Sequence, residues 1–215
     1  MMNYIPKISL ATITILVMGM ASIYTSNLAD PDYFWHLRAG QWMIENGRLP
    51  INDPFLWSQE TTRWVNHEWL SDILLFWVYE RGGGAALSVV VAVLFCFTLW
   101  VMYRFANYYL PSFPALILTV LGGSTVLIWV TVRPQSITYC LFAYFLTTLI
   151  RYVDQGNTWA IWSLPPLVAI WANLHGAFVI GIVLIGMVAS LRTAEKLWAS
   201  NFRDWKKCVA EDYAL

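Results

Sequence analysis

Residues 82–103 read GGGAALSVVVAVLFCFTLWVMY and contain no charged side chain. A helix of about 20 apolar residues crosses the hydrocarbon core of a bilayer, and this run is long enough to do so. The rest of the chain has the same character. Of its 215 residues, 59% are hydrophobic and 12% are charged, about half the charged fraction of ordinary globular domains. This composition excludes a disordered chain and predicts an all-α, polytopic transmembrane protein.

Charge-free runs define the predicted membrane spans. They cover residues 8–29, 82–103, 105–132, 134–150 and 155–191. The last run would be about 55 Å long as a single helix, which is too long for one crossing. The polar stretch Asn173–Gly176 interrupts it. We therefore divide the last run in two and predict about six spans.

The spans divide the chain into four regions. Residues 1–27 are predicted to form the first transmembrane helix and residues 28–81 a long extracytoplasmic loop. Residues 82–191 are predicted to form five further transmembrane helices, and residues 192–215 a basic cytoplasmic tail. A cleaved signal peptide is the alternative for the first region, although its apolar run is long for one.

The distribution of Lys and Arg predicts the orientation of the chain. With the N-terminus inside, most of the 13 basic side chains are cytoplasmic: Lys7, Arg104, Arg151, Arg192, Lys196, Arg203, Lys206 and Lys207. The three histidines, His36, His67 and His175, then lie on the outer face. The inverted orientation is the alternative. The formal net charge is zero, which gives no reason to expect a nucleic-acid partner.

The first half of the long loop predicts an interfacial helix. Asp30 suits the N-cap and Pro31 the first helical position, and the helix should stop at residues 46–47, Asn-Gly. We expect it to lie in the membrane interface with the ring of Trp35 toward lipid and His36 on the polar face.

A second interfacial helix is predicted to open within the stretch Trp64–Leu70 and to end at Arg81. Asn66 is its expected cap, and the glycines after Arg81 are its expected end. At about 14 residues this helix is too short to span, so it is predicted to lie beside the membrane.

Asp30 and Asp32 are the candidate catalytic residues. Two carboxylates at the water-facing end of a span can bind a divalent cation such as Mg²⁺ or Mn²⁺ beside phosphate oxygens, or one of them can act as a general base. The structural alternative is that both residues only cap a helix.

Further polar side chains are candidates for binding a phosphate or another substrate group: His36, His67, Glu68, Arg133 and His175. The guanidinium of Arg133 suits bidentate phosphate binding. A lone Arg at the end of a span can instead reach toward lipid headgroups. The structural alternatives are an interfacial aromatic ring with a polar tip for His36, a polar helix start for His67 and Glu68, and a cap at a tight break for His175.

In layout these motifs resemble the polytopic glycosyltransferases of the GT-C fold. The stretch from Asp30 to Gly47 is similar to the first loop of oligosaccharyltransferase catalytic subunits. His67–Leu70 lies where protein mannosyltransferases and aminoarabinose transferases carry His-Pro-Pro-Leu, with Glu-Trp in place of the two prolines. The chain looks closer to uncharacterised bacterial members with Asp-Pro-Asp, His-Glu-Trp-Leu, Arg-Pro-Gln and Asn-Leu-His-Gly motifs. The resemblance covers roughly residues 8–190.

The resemblance implies an enzyme of the bacterial inner membrane that transfers a sugar from a polyprenyl-phosphate carrier to an acceptor on the extracytoplasmic face. Asp30 or Asp32 would deprotonate the acceptor or hold a metal. The implied partners are the lipid-linked donor, membrane lipids and a protein, lipid or polysaccharide acceptor. Members commonly have more spans, so we expect a truncated product or an N-terminal catalytic module.

Two other classes of protein remain open. A transporter would place ionisable groups at mid-membrane and contain inverted repeats, whereas here these groups lie at span ends and no second copy of the first three spans is found. Pro165-Pro166 would suit the broken helix of a transporter. A non-catalytic assembly or scaffold protein would use the aromatic outer loop as a docking surface.

Overall fold

The computed structural model describes residues 9–25, 31–57, 63–156 and 158–199. Within these ranges it contains seven helices of 11 residues or more and one of four residues, so the predicted all-α class is confirmed. The helices are α1 (Leu10–Thr25), α2 (Pro31–Asn46), α3 (Trp69–Tyr109), α4 (Ser112–Leu127), α5 (Gln135–Gln155), α6 (Thr158–Ile161), α7 (Leu164–Leu174) and α8 (Phe178–Ala199).

Three helices, α3, α5 and α8, are long and apolar enough to cross a membrane. The shorter apolar segments Leu10–Ile23, Ser112–Leu127 and Trp159–Leu174 correspond to the other three predicted spans. The polar break predicted near Asn173 is present, because α7 ends at Leu174 and α8 begins at Phe178. The α8 helix continues into the first residues of the predicted tail, and residues 200–215 lie outside the described residues.

The long helices α3, α5 and α8 all begin at one end of the bundle, and α7 ends there. The start of α3 meets the end of α7, where the Ser71 hydroxyl donates to the Leu174 carbonyl at 2.6 Å. The start of α5 meets the α7–α8 junction through Thr138 and His175. At the opposite end, the Tyr109 hydroxyl donates a hydrogen bond to the Asp154 carboxylate, which joins the end of α3 to the end of α5. We call the end that contains His175 the site end.

The second predicted interfacial helix is present as the first part of α3, from Trp69 to the glycines that follow Arg81. The backbone leaves helical geometry at Gly82 and at Gly83, where φ is 60° and ψ is −159°, a conformation essentially restricted to glycine. The predicted end of this helix after Arg81 is therefore present, and a second helical part follows the kink. Leu75 and Leu87, on either side of the kink, belong to one apolar core.

The limits predicted for the first interfacial helix are confirmed. α2 runs from Pro31 to Asn46 and is followed by Gly47 at a φ of 61°. The predicted polar face is wrong for His36, which is buried together with Leu37 and Met43. The imidazole can be buried because α3 provides a carboxylate for it.

α2 and α3 approach each other closely at Gly40. A Cβ atom at residue 40 would lie 2.1 Å from the backbone oxygen of Asp72 and 2.8 Å from the Cβ of Phe76. These distances leave no room for any side chain, so the two backbones are in contact here.

The loop between α2 and α3 doubles back on itself. An isolated antiparallel bridge joins Asn52 to Arg63, and the Trp64 amide donates to the Ile51 carbonyl at 3.0 Å. The Trp64 ring packs against Trp35, with ring centroids 5.6 Å apart. The chain is thereby returned to α2 just before the residues of the site.

Replacing Gly40 by Ala is expected to lower the free energy of unfolding by about 1–3 kcal/mol, the usual cost of overpacking, because the added methyl group displaces α2 from α3. Gly186→Ala is the matched control, since a Cβ atom there meets nothing within 4 Å. Thermal unfolding in detergent, followed by tryptophan fluorescence, measures both variants. Equal midpoints for the two would contradict the close approach at Gly40.

Candidate functional site

The sequence-predicted polar residues that the structure describes meet at the site end. They are Asp32 and His36 of α2, His67 and Glu68 before α3, Arg133 before α5, and His175 between α7 and α8. Asp30, the other predicted catalytic carboxylate, lies outside the described residues.

A buried carboxylate–imidazole pair joins α2 to α3. His36 Nδ1 lies 2.7 Å from Asp72 Oδ1, and the Asn66 side-chain amide donates to Asp72 Oδ2 at 2.6 Å. Asp72 is 1% exposed, so these two partners replace the water that its charge has lost. Because the carboxylate accepts, His36 holds a hydrogen on Nδ1 and directs Nε2 away from Asp72.

Asn66 does not cap α3 as predicted. The helix begins later, at Trp69, with Glu68 in the cap position. The Asn66 side-chain oxygen instead accepts from the Glu68 amide at 3.0 Å while its nitrogen holds Asp72. Asn66 therefore fixes the turn that presents Glu68 to the site.

Glu68 lies among all three histidines. Its Oε1 is 3.5 Å from His175 Nε2 and 3.7 Å from His67 Nε2, and its Oε2 is 4.0 Å from His36 Nε2. The Glu68 side chain is 18% exposed, whereas that of His67 is 64% exposed. One carboxylate thus connects two sheltered imidazoles with a third that faces solvent.

The hydrogen bonds of His175 define its tautomer. Its Nδ1 accepts from the Ala177 amide at 3.2 Å and lies 3.0 Å from the Thr138 hydroxyl. The Trp171 indole donates to that hydroxyl at 3.0 Å, which leaves the hydroxyl hydrogen free to point at Nδ1. The neutral ring therefore carries its hydrogen on Nε2, facing Glu68.

Burial lowers the pKa of His175 below the usual 6.5. Glu68 opposes this change, and the neighbouring His67 and His36 add to it. The uncharged ring is thus favoured, in agreement with the hydrogen bonds at Nδ1.

Arg133 and Asp32 form the second part of the site. Arg133 Nη2 lies 3.1 Å from Asp32 Oδ2, and the two side chains are 27% and 59% exposed. Asp32 and His36 are one helical turn apart, about 6 Å along the axis of α2. The site therefore has a guanidinium at one end and a carboxylate–imidazole cluster at the other.

Two further hydrogen bonds hold the α7–α8 junction against the start of α3. The Trp69 indole donates to the Asn173 side-chain oxygen at 2.8 Å, next to the bond from Ser71 to Leu174. Thr138 and Ser71 are site residues that the sequence analysis missed. Asp72 could have been found from sequence, because it is an acidic side chain one helical turn after Glu68 in an otherwise apolar helix.

Of the two carboxylates predicted to hold a divalent cation, the structure describes only Asp32. Asp32 already faces the guanidinium of Arg133, and within the described ranges no group of three or more His, Cys, Asp and Glu side chains is arranged to hold a metal ion. Since Asp30 is outside these ranges, the cation stays a prediction, and no chemical step below depends on it.

No family model, curated protein or solved structure matches this chain. The resemblance to glycosyltransferases therefore rests on the motifs alone. A proposal for function has to start from the acid, imidazole and guanidinium groups of the site.

The lowered pKa of His175 predicts a pH-dependent stability. This contribution is fully present above the unfolded-state pKa of 6.5 and is lost as the pH falls through the lower folded-state value. We expect the unfolding midpoint to fall between about pH 7.5 and about pH 5, and His175→Gln to reduce that fall because an amide donates and accepts without titrating. Glu45→Gln is the control, since this exposed carboxylate is bonded to Gln41 and lies outside the site. An unchanged pH dependence in the His175 variant would contradict the assignment.

Proposed function

We propose that this chain is a membrane glycosyltransferase that moves a sugar from a polyprenyl-phosphate carrier to an acceptor on the extracytoplasmic face. The observation that carries the proposal is the meeting of a guanidinium, carboxylates and imidazoles at one end of a bundle of apolar helices. A lipid-linked sugar phosphate keeps its isoprenoid chain in the bilayer and its phosphate at the headgroup level. A site at helix ends is therefore suited to its reacting atoms.

In this proposal Arg133 binds the donor phosphate. A guanidinium donates parallel hydrogen bonds to phosphate oxygens and stabilises the charge that grows on the leaving phosphate. The carboxylate of Asp32, 3.1 Å from Arg133 Nη2, orients the guanidinium from one side. His36, His67, Glu68 and His175 supply further polar contacts to the phosphate or the acceptor.

An apolar cavity between α3, α4 and α5 supports a lipid-linked donor. It has a volume of about 520 Å³ and is lined by Met102, Leu118 and Phe142, among other residues. Its lining also includes Tyr139, which directly follows the site residue Thr138. We assign this cavity to part of the isoprenoid chain.

The proposed reaction exchanges two bonds at the anomeric carbon of the sugar. The acceptor oxygen forms a bond to that carbon, and the bond from the carbon to the phosphate oxygen breaks, so the phosphate leaves with the electron pair. The acceptor proton passes to a carboxylate of the site, for which the resemblance implies Asp30 or Asp32. Asp32 is open to an acceptor that arrives from water, since its side chain is 59% exposed.

The proposal includes an orientation and a compartment. The N-terminus is cytoplasmic and the site end is outside, in the inner membrane of a bacterium. The bias of Lys and Arg toward one side of the predicted spans supports this orientation. A Mg²⁺ or Mn²⁺ ion held by Asp30 and Asp32 belongs to the same proposal.

Native mass spectrometry of protein extracted gently from its own membranes tests donor binding. We expect an adduct with the mass of a polyprenyl-phosphate sugar, and we expect Arg133→Gln to lose it because the phosphate loses its guanidinium. Arg48→Gln is the matched control, since Arg48 follows the end of α2 and lies over the Trp42 ring. Recovery of bulk phospholipid alone would contradict the proposal, and equal adducts in both variants would contradict the role of Arg133.

A further inference from the structure

A row of titratable side chains leads from the interior of the site to solvent. Asp72, 1% exposed, lies 2.7 Å from His36 Nδ1. The opposite nitrogen of His36 lies 4.0 Å from Glu68 Oε2, and Glu68 Oε1 lies 3.7 Å from His67 Nε2. His67 is 64% exposed, so the row ends in water.

We propose that this row is a proton relay in which Glu68 accepts the proton at the site and His67 passes it to water. The relay depends on the proposed glycosyl transfer in one respect: the proton comes from a hydroxyl group of the acceptor. It assigns proton transfer to Glu68, not to Asp30 or Asp32.

The proton balance of the relay is complete. The acceptor O–H bond breaks, its proton binds a carboxylate oxygen of Glu68, and its electron pair forms the bond to the anomeric carbon. Glu68 then gives the proton to Nε2 of His67, and the His67 imidazolium loses it to water. One proton leaves the acceptor and one enters solvent, with no oxidant or reductant.

Glu68 has a partner in each of its protonation states. When ionised, it faces the Nε2–H group of His175, whose Nδ1 is occupied by the Ala177 amide. When protonated, it faces the lone pair on His36 Nε2, because the hydrogen of His36 is held on Nδ1 by Asp72. The separations of 3.5–4.0 Å are longer than most hydrogen bonds, so the relay requires them to shorten when substrate binds.

The surroundings favour a proton site over a metal site. The Ala177 amide donates to His175 Nδ1 at 3.2 Å, so Nε2 keeps its hydrogen and has no lone pair for a metal. The charged and titratable groups that face Glu68 come from three parts of the chain: His36 of α2, His67 beside it, and His175 of the α7–α8 junction. Asp72 and the Asp32–Arg133 pair complete the site.

The tautomers test the relay without any substrate. In ¹⁵N spectra of histidine-labelled protein in lipid nanodiscs, we expect an Nδ1–H tautomer for His36 and an Nε2–H tautomer for His175. Glu68→Gln should lower the titration midpoint of His175, because the carboxylate raises its pKa. Glu45→Gln, which changes an exposed acid bonded to Gln41, should leave that midpoint unchanged. An Nε2–H tautomer at His36 would overturn the relay.

Turnover tests the same assignment with the donor identified by mass spectrometry. We expect Glu68→Gln to lower kcat by about 10²-fold or more, the scale of general acid–base catalysis, with the KM for the donor changed less than about threefold. His67→Ala should also lower kcat, and added imidazole should restore it because the side chain is accessible. Normal turnover in Glu68→Gln together with its loss in Asp32→Asn would overturn the relay.

The two proposals fail in different ways. If no donor is found, the glycosyl transfer fails, and the tautomers and the His175 titration still decide the relay. If the donor binds and Glu68→Gln turns over normally, the relay fails and the transferase stands.

Discussion

α2 lies against α3 with no side chain between the two backbones at Gly40, and the geometry of the site follows from this contact. One turn before Gly40, His36 reaches the buried carboxylate of Asp72. At the start of α3, Trp69 and Ser71 donate hydrogen bonds to Asn173 and Leu174 at the end of α7. These bonds bring His175 beside Glu68. If α2 moved away, Asp72 would lose its imidazole partner, and a buried charge without such a partner costs several kcal/mol. Backbone packing and buried charge therefore stabilise each other.

The local features of this arrangement could be predicted from sequence, because they depend on neighbouring residues. Pro31 and Gly47 set the limits of α2 through their own φ angles, and the polar break before His175 ends α7. The burial of His36 could not be predicted in this way, since a polar side chain with a partner and one facing water have the same helical periodicity. Its partner Asp72 is 36 residues away in sequence, and only the packing of two helices brings them together.

The position of the ionisable groups bears on the alternatives of transport and assembly. In the described parts of α5 and α8, charged side chains lie in the last two turns: Arg151, Asp154, Arg192, Glu195 and Lys196. Transporters place such groups near the bilayer midplane, which this arrangement does not favour. A surface for assembly needs no carboxylate among three imidazoles, whereas such a cluster is able to carry out acid–base chemistry. The cluster therefore supports the proposed reaction over the proposal of a scaffold.

The kink at Gly82 and Gly83 divides α3 into two parts that contact different helices. A straight helix of 41 residues would be about 60 Å long, twice the thickness of the hydrocarbon core. Before Gly82, α3 is fastened to α2 and α7 through Asp72 and Ser71; after it, α3 packs on α1, where a Cβ at Gly19 would meet the sulfur of Cys96. The two parts of α3 therefore have different directions, because the backbone is non-helical at Gly82 and Gly83. The part that carries Asp72 and Ser71 is thus oriented by α2 and α7, and the apolar part after the glycines by α1 and the other helices of the bundle.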